Sequence, residues 1–98
     1  MADLQCPATA VLLDGGAPPP PWLRRLRVAD RFRTRGAGAV ASLVDETADL
    51  FRGETFVVAA PPGDVAEALR RRGLAGEPPL IVRIDSGGWA VVPPPDDC

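Results

Sequence analysis

The feature that most constrains the fold is the apolar run TFVVAA at residues 55–60, enclosed between two helical patterns. A run with so little polar alternation is typical of a strand in a sheet that is covered on both faces. The preceding segment, 39–52, repeats apolar side chains at helical spacing and predicts a helix. Gly53 is expected to end that helix in the left-handed conformation. The order of helix, buried strand and helix indicates an α/β protein.

The segments that flank this unit predict further strands and one more helix. Residues 8–13, ATAVLL, predict a buried first strand. After the apolar run, Asp64 and Glu67 have the spacing of a capping box, which predicts a helix that continues to Gly73. Apolar and charged residues alternate over 79–85, and the turn SGG then leads into a second strand. The chain is therefore expected to end in a β-hairpin.

The arginine-rich segment 22–35, WLRRLRVADRFRTR, places apolar residues at helical spacing and predicts a helix between the first two strands. The predicted fold is α/β, a small mixed sheet with helices packed on it and a C-terminal β-hairpin. The length of 98 residues predicts one domain, 1–98. Within it, 17–21 is expected to be a proline-rich connector and 93–98 a frayed tail.

The composition restricts the chemistry that the chain can perform. It contains no histidine, tyrosine or lysine, so the usual general bases near neutral pH are missing. No ordinary serine or cysteine triad can be assembled without histidine. Cys6 and Cys98 are expected to be reduced, unrelated thiols. The acidic pair at 96–97 gives a poorly organised set of metal ligands, so neither a metal nor a cofactor is predicted.

Charge and hydropathy bear on the expected partners and compartment. The net charge of −2 offers no general attraction for nucleic acid or an anionic membrane. No apolar run approaches the length of about 18 residues that a membrane span needs. The predicted protein is cytoplasmic and does not bind membranes.

One concentrated basic stretch supplies the candidate binding residues. It runs from Arg24 to Arg35, with Asp30 as its single opposing charge. Three interpretations stay open: a solvated face, a site for phosphate groups, or a surface for a protein with an acidic groove. Nucleic acid is the less favoured partner. The candidate binding residues are Trp22, Arg24, Arg25, Arg27, Arg31, Arg33 and Arg35.

Several segments resemble the histidine phosphatases of actinobacteria, the phosphoglycerate-mutase-like superfamily. The opening MADLQCPATAVLLDGGA is similar to the first strand of that family, which there continues into Arg-His-Gly-Glu. The segment VASLVDETADLFRGETFVVAAPPGDV is similar to a later helix and strand that end in Ser-His-Gly-Gly. PPLIVRIDSGGWAVV resembles the closing strands. The resemblance implies a truncated form of that fold, with a block missing between about Ala17 and Trp22.

The resemblance also implies which positions should carry catalysis. In that family the first histidine attacks phosphorus, while an arginine and the second histidine stabilise the transferring group. The corresponding positions here are Gly15 for the nucleophile, Asp14 for its arginine neighbour and Pro61 for the second histidine. None of these three residues can perform the chemistry of the residue that it replaces. No catalytic residue is therefore predicted.

The resulting hypothesis is a pseudoenzyme: an inactive histidine-phosphatase-like accessory or protein-interaction domain. Loss of a block from a covered sheet is expected to expose apolar strand faces or an edge, which favours an oligomer or a complex. The partner would be another protein or a second copy of the chain. The alternative is an arginine-rich module, Arg24–Arg35, that binds a phosphate ligand or nucleic acid.

Overall fold

The computed structural model describes residues 7–93 and forms a five-stranded mixed sheet with two α-helices. The predicted tail, apart from Pro93, and both cysteines lie outside the described residues. The elements in chain order are β1 (Ala8–Asp14), the 3₁₀ helix η1 (Pro21–Arg25), β2 (Val28–Arg33), α1 (Ala37–Leu50), β3 (Thr55–Ala60), α2 (Pro62–Arg71), β4 (Leu80–Asp85) and β5 (Gly88–Val92).

The sheet has the order β2-β3-β1-β4-β5, with β1 and β3 as parallel neighbours near its centre. β2 adds to β3 in parallel, β4 pairs antiparallel with β1, and β5 completes the C-terminal hairpin. The predicted fold class is confirmed, including the buried strand at 55–60 and the closing hairpin. Neither α-helix, of 14 and 10 residues, has the length and apolar character that crossing a bilayer would require.

Two apolar clusters cover the sheet, one on each face. On the helix face, α1 and α2 pack over alternate residues of the three central strands, with Phe56 fully buried. The other face, here called the connector face, carries Val11, Leu13 and Val57. Leu23 of η1 is buried against them, and Trp22 and Leu26 pack beside it. Within residues 7–93 the centre of the connector face is thus covered, and exposure is concentrated at the edges.

The predicted helix over 22–35 is wrong. Residues 21–25 form only η1, and 28–33 form β2 at the edge of the sheet. The register shifts between Val28 and Asp30, which is a bulge. Because of that bulge, Val28 and Arg31 both lie on the connector face, so their spacing in sequence imitates that of a helix. Tertiary pairing with β3 overrides the weak helical pattern.

Gly53 has the left-handed conformation that was predicted, although α1 ends earlier, at Leu50, with Phe51 as its C-cap. Gly53 has φ +76°, a conformation that favours glycine. Its N–H donates to the carbonyl of Pro7 at 3.2 Å, and the Thr9 N–H donates to Glu54 at 3.0 Å. The turn that follows α1 is therefore hydrogen-bonded to the start of β1.

The predicted capping box at the start of α2 is wrong. The helix begins at Pro62, and no side chain caps its N-terminal residue. Glu67 instead accepts hydrogen bonds from Arg70 and Arg71 on the next turn. The hydrogen bond and the charge of Arg70 hold the pKa of the Glu67 carboxyl below its ordinary value. Asp64 binds a different element, as described below.

A polar cluster joins the C-terminal hairpin to both helices. The indole Nε1–H of Trp89 donates to Asp45 Oδ1 at 2.8 Å, and Arg72 donates to the other oxygen of the same carboxylate. The Arg72 guanidinium also lies over the Trp89 ring, 4.9 Å from its centroid. Asp45 thus connects β5, α1 and the end of α2.

Replacing Asp45 with alanine is expected to lower the free energy of unfolding by about 1–2 kcal/mol, because the half-buried indole N–H and Arg72 both lose their acceptor. Urea unfolding followed by circular dichroism measures this change. The matched control is Asp49→Ala on the same helix, since Asp49 makes one exposed contact, with Arg52. A loss for Asp45→Ala no larger than that for Asp49→Ala would contradict the role assigned to the cluster.

Candidate functional site

The carboxyl ends of the three parallel strands meet at one edge of the sheet. β1 ends at Asp14, β3 at Ala60 and β2 at Arg33. The Gly15 N–H donates to the Ala60 carbonyl, and the Thr34 N–H donates to the Ala59 carbonyl, each at 3.0 Å. These bonds fix the loops after β1 and β2 against the end of β3. Ligands of open α/β sheets commonly bind at such strand ends.

The positions that the resemblance marks as catalytic lie together at this edge. Gly15 is bonded to Ala60, the residue directly before Pro61. The Asp14 carboxylate folds back and accepts the N–H of Gly16 at 2.9 Å. That bond closes a tight turn, with the Ala17 N–H donating to the Asp14 carbonyl at 3.1 Å. The turn is well formed, but none of these residues provides a nucleophile for phosphoryl transfer.

Two adjoining pockets open around these turns. The strand-end pocket, of about 550 Å³, is lined by Asp14, Gly15, Gly16, Arg33, Thr34, Arg35, Ala60, Pro61 and Pro62. The face pocket, of about 340 Å³, lies on the connector face and is lined by Leu13, Asp14, Gly15, Ala17, Pro19, Arg31, Phe32, Arg33, Val57 and Ala59. Shared lining residues make the two pockets continuous. The face pocket offers an apolar floor, and the strand-end pocket offers main-chain polar groups.

Arg33 stands at the boundary between the two pockets. Its guanidinium donates to the Gly15 carbonyl at 3.2 Å. A Cβ atom added at Gly15 would lie 3.0 Å from that guanidinium nitrogen, closer than ordinary contacts. Glycine at position 15 therefore allows the cation to approach the main chain of the first turn. Part of the positive charge near Gly15 therefore comes from β2.

The structure separates the predicted binding residues into two groups. Arg31, Arg33 and Arg35 follow one another at every second residue and line the pockets. Arg24 lies on η1 and meets Arg31 at a third, proline-lined depression. The remaining members, Arg25 on η1, Arg27 beside Gly53 and Glu54, and Trp22 in the connector-face cluster, lie away from the strand ends. Their binding roles stay predictions.

The electrostatics of the combined site favour an anion. Three guanidinium groups border the pockets against one carboxylate, Asp14, which a main-chain N–H already engages. Guanidinium forks match the geometry of phosphate and carboxylate groups. Thr34 supplies the single hydroxyl among the residues that line the two pockets. No group of three or more metal-ligating side chains occurs within residues 7–93.

Asp64 positions the helix that starts beside the pocket. Its Oδ2 accepts the N–H of Gly36 at 2.7 Å in a partly buried setting. Gly36 has φ +97° and directly precedes α1. The carboxylate near the start of α2 thus holds the loop that carries Thr34 and Arg35. This contact between the two helix starts replaces the capping box that the sequence predicted.

Sequence reasoning missed Thr34 and Gly36 as parts of the site. The alternation of Arg31, Phe32, Arg33 and Thr34 is a period-two signal, which could have identified the strand and placed both residues at its end. The helical interpretation of 22–35 obscured it.

We compared the chain with models of protein families, with curated proteins and with solved structures, and none matches it significantly.

Asp64→Ala is expected to lower the free energy of unfolding by about 1–2 kcal/mol, because the partly buried Gly36 N–H loses a charged acceptor. Asp64→Asn keeps an acceptor oxygen and should lose less. Glu67→Ala on the same helix is the control, since its ion pairs with Arg70 and Arg71 are exposed and should contribute little to stability. Urea unfolding of the three variants tests this order, and equal values for Asp64→Ala and Asp64→Asn would contradict it.

Proposed function

We propose that the chain is a non-catalytic domain of the histidine-phosphatase type that acts by binding a protein within an oligomer or complex. The observation that carries the proposal is the combination of well-formed turns and missing catalytic side chains at the carboxyl ends of β1 and β3. The turns after β1 and β3 are bonded together, yet Asp14, Gly15 and Pro61 occupy the positions where the resemblance implies arginine and two histidines. Hydrogen-bonded turns at the strand ends that carry no nucleophile support binding as the remaining role.

The exposed part of the fold supports a protein partner. β2 is an outer strand, and its residues other than Val28 and Phe32 are exposed. Leu50 at the end of α1 has a relative exposure of 80%, and Val91 on the other outer strand has 42%. Outer strands and large exposed apolar side chains are common features of surfaces that pair with another chain.

The lack of catalysis is tested with purified protein and a generic phosphate ester such as p-nitrophenyl phosphate. The expected rate equals that of buffer alone, and no side chain should acquire a phosphoryl group, as measured by mass spectrometry of acid-quenched samples. Asp14→Ala serves as a control for contaminating hydrolases, since a contaminant's activity would be unchanged by it. Turnover that Asp14→Ala abolishes would overturn the proposal.

Association is tested by size-exclusion chromatography with light scattering, and by capture of tagged protein from its native host followed by mass spectrometry. We expect an oligomer, or one partner recovered in stoichiometric amount. A clean monomer that recovers no partner would count against an interaction domain.

A second candidate function, binding of a phosphate ligand or nucleic acid, is favoured by one observation. The arginines at 31, 33 and 35 border the two pockets and face one carboxylate. Each phosphate that they contact should release counterions, so the affinity should fall steeply with salt.

The candidate predicts that pyrophosphate binds by calorimetry at low salt and that Arg31→Ala/Arg33→Ala/Arg35→Ala abolishes the binding. The matched control is Arg24→Ala/Arg25→Ala/Arg27→Ala, which removes the same charge away from the strand ends and should retain binding. A short single-stranded DNA serves as the second probe. Equal losses in both triple variants would indicate attraction by charge alone, and no heat of binding to either probe would remove the candidate.

A further inference from the structure

The outer edge of β2 presents main-chain groups that the sheet does not use. The Thr34 N–H donates to Ala59, and Arg31 and Arg33 are in register with Val57 and Ala59. In a parallel ladder of this register, residues 30, 32 and 34 direct their main-chain groups toward β3. Arg31 and Arg33 therefore direct theirs outward. Within residues 7–93, no strand pairs with this side of β2.

One of the outward groups already has a local partner. The Arg31 N–H donates to Asp30 Oδ1 at 2.8 Å, an exposed bond between adjacent residues. The carboxylate thus occupies one donor on the edge, and no bond from the described residues engages the Arg33 N–H. A strand that adds here would meet a free donor at Arg33 and would displace Asp30 from Arg31.

Charge argues against a second copy of the chain as the added strand. Opposed residues in a two-fold antiparallel pair share a face of the sheet. Registers centred on residues 30, 31 and 32 would oppose Asp30 with Asp30, Arg31 with Arg31, and Arg31 with Arg33, respectively. Each of these pairs sets like charges against each other. The same arginines would attract a strand that carries acidic residues on the connector face.

The helix face of the edge carries Phe32 beside the exposed Asp30, which is in register with Phe56. Phe32 contacts Phe51 and Phe56 edge-on, with ring centroids 6.2 and 6.3 Å apart. Asp45 points toward α2, where it binds Arg72. At about 100° per residue, Leu50 lies about 140° around α1 from Asp45 and so faces the side of β2. A strand added to β2 would carry its helix-face side chains beside Phe32 and toward Leu50.

We propose that β2 binds an extended acidic segment of a partner protein, which adds to the sheet as a sixth strand. The segment alternates acidic residues, opposite Arg31 and Arg33, with apolar residues on the helix face. The main-chain ladder supplies affinity and the alternation supplies specificity. This inference rests on the proposed role as an interaction domain and names the partner's chemistry.

The probe is a fluorescein-labelled peptide of about ten residues, alternating Glu and Val, which is long enough to span a strand. A Glu-Val peptide that is N-methylated at every residue has the same charge but cannot form the ladder, because it lacks main-chain N–H groups on both of its edges. A Lys-Val peptide keeps the pattern but reverses the charge. By fluorescence anisotropy, the full chain should bind Glu-Val at least about tenfold more tightly than either control, a margin of about 1.4 kcal/mol.

Three protein variants test the edge itself. Asp30→Ala frees the Arg31 N–H and removes a negative charge that repels the acidic peptide, so this variant should bind Glu-Val several-fold more tightly. Arg33→Pro removes the outward N–H without breaking the ladder to β3, whereas Arg33→Ala removes the same charge and keeps the N–H. Arg33→Pro should therefore bind at least about tenfold more weakly than Arg33→Ala. Circular dichroism checks the fold of each variant.

The outcomes separate this inference from the proposed function. Equal binding of Glu-Val and its N-methylated form, or no binding of Glu-Val by the parent chain and Asp30→Ala, would overturn strand addition at β2. Recovery of a stoichiometric partner from the host would still support an interaction domain in that case. If Arg33→Pro fails to fold, the peptide pair and Asp30→Ala decide the question.

Discussion

The parallel pairing of β1 with β3 is the constraint on which the rest of the structure depends. Both strands bury side chains on both faces, as Val11 and Leu12 do in β1 and Val57 and Val58 do in β3. A pair of this kind needs a cover on each side. The chain supplies the covers with two crossovers, one through η1 on the connector face and one through α1 on the helix face. They run in opposite directions along the sheet, so they share one hand, as parallel connections normally do.

The same pairing creates the candidate site. Parallel strands end at a common edge, so the loops after β1, β2 and β3 are brought within hydrogen-bond distance whatever side chains they carry. In this chain the loops after β1 and β3 carry side chains that are small, apolar or already bonded, and the positive charge comes from Arg33 of β2 and from Arg35 in the loop that follows it. Geometry suited to holding an anion therefore does not depend on catalytic side chains, because main-chain bonds hold it.

The charge pattern of β2 unites two physical roles. Charged side chains on an outer strand oppose indiscriminate pairing between sheets. Here Asp30, Arg31 and Arg33 would each meet a like charge on another copy of the same strand, while the net positive charge of the edge remains attractive to acidic chains. Selectivity of this type needs no additional structure, because the side chains that exclude one partner attract another.

Strong local signals determined much of the fold from the sequence alone. The uninterrupted apolar run TFVVAA and the alternation in 80–85 each specify which side chains of a strand are buried. Gly53 after the helical segment specifies a backbone conformation with positive φ. The arginines of the binding stretch were also identified, together with the absence of any imidazole.

Tertiary structure alone decided where those arginines lie and which residues join them. The segment 28–33 carries a bulge that disguises its period, and its conformation depends on pairing with β3, more than twenty residues further along the chain. Asp64 binds Gly36 across 28 residues in place of the local cap that its spacing suggested. Thr34 reaches the pocket only because β2 ends beside β1 and β3. Each of these outcomes is a long-range contact whose energy exceeds a weak local preference. The two partners lie too far apart in the chain for a local sequence pattern to include both.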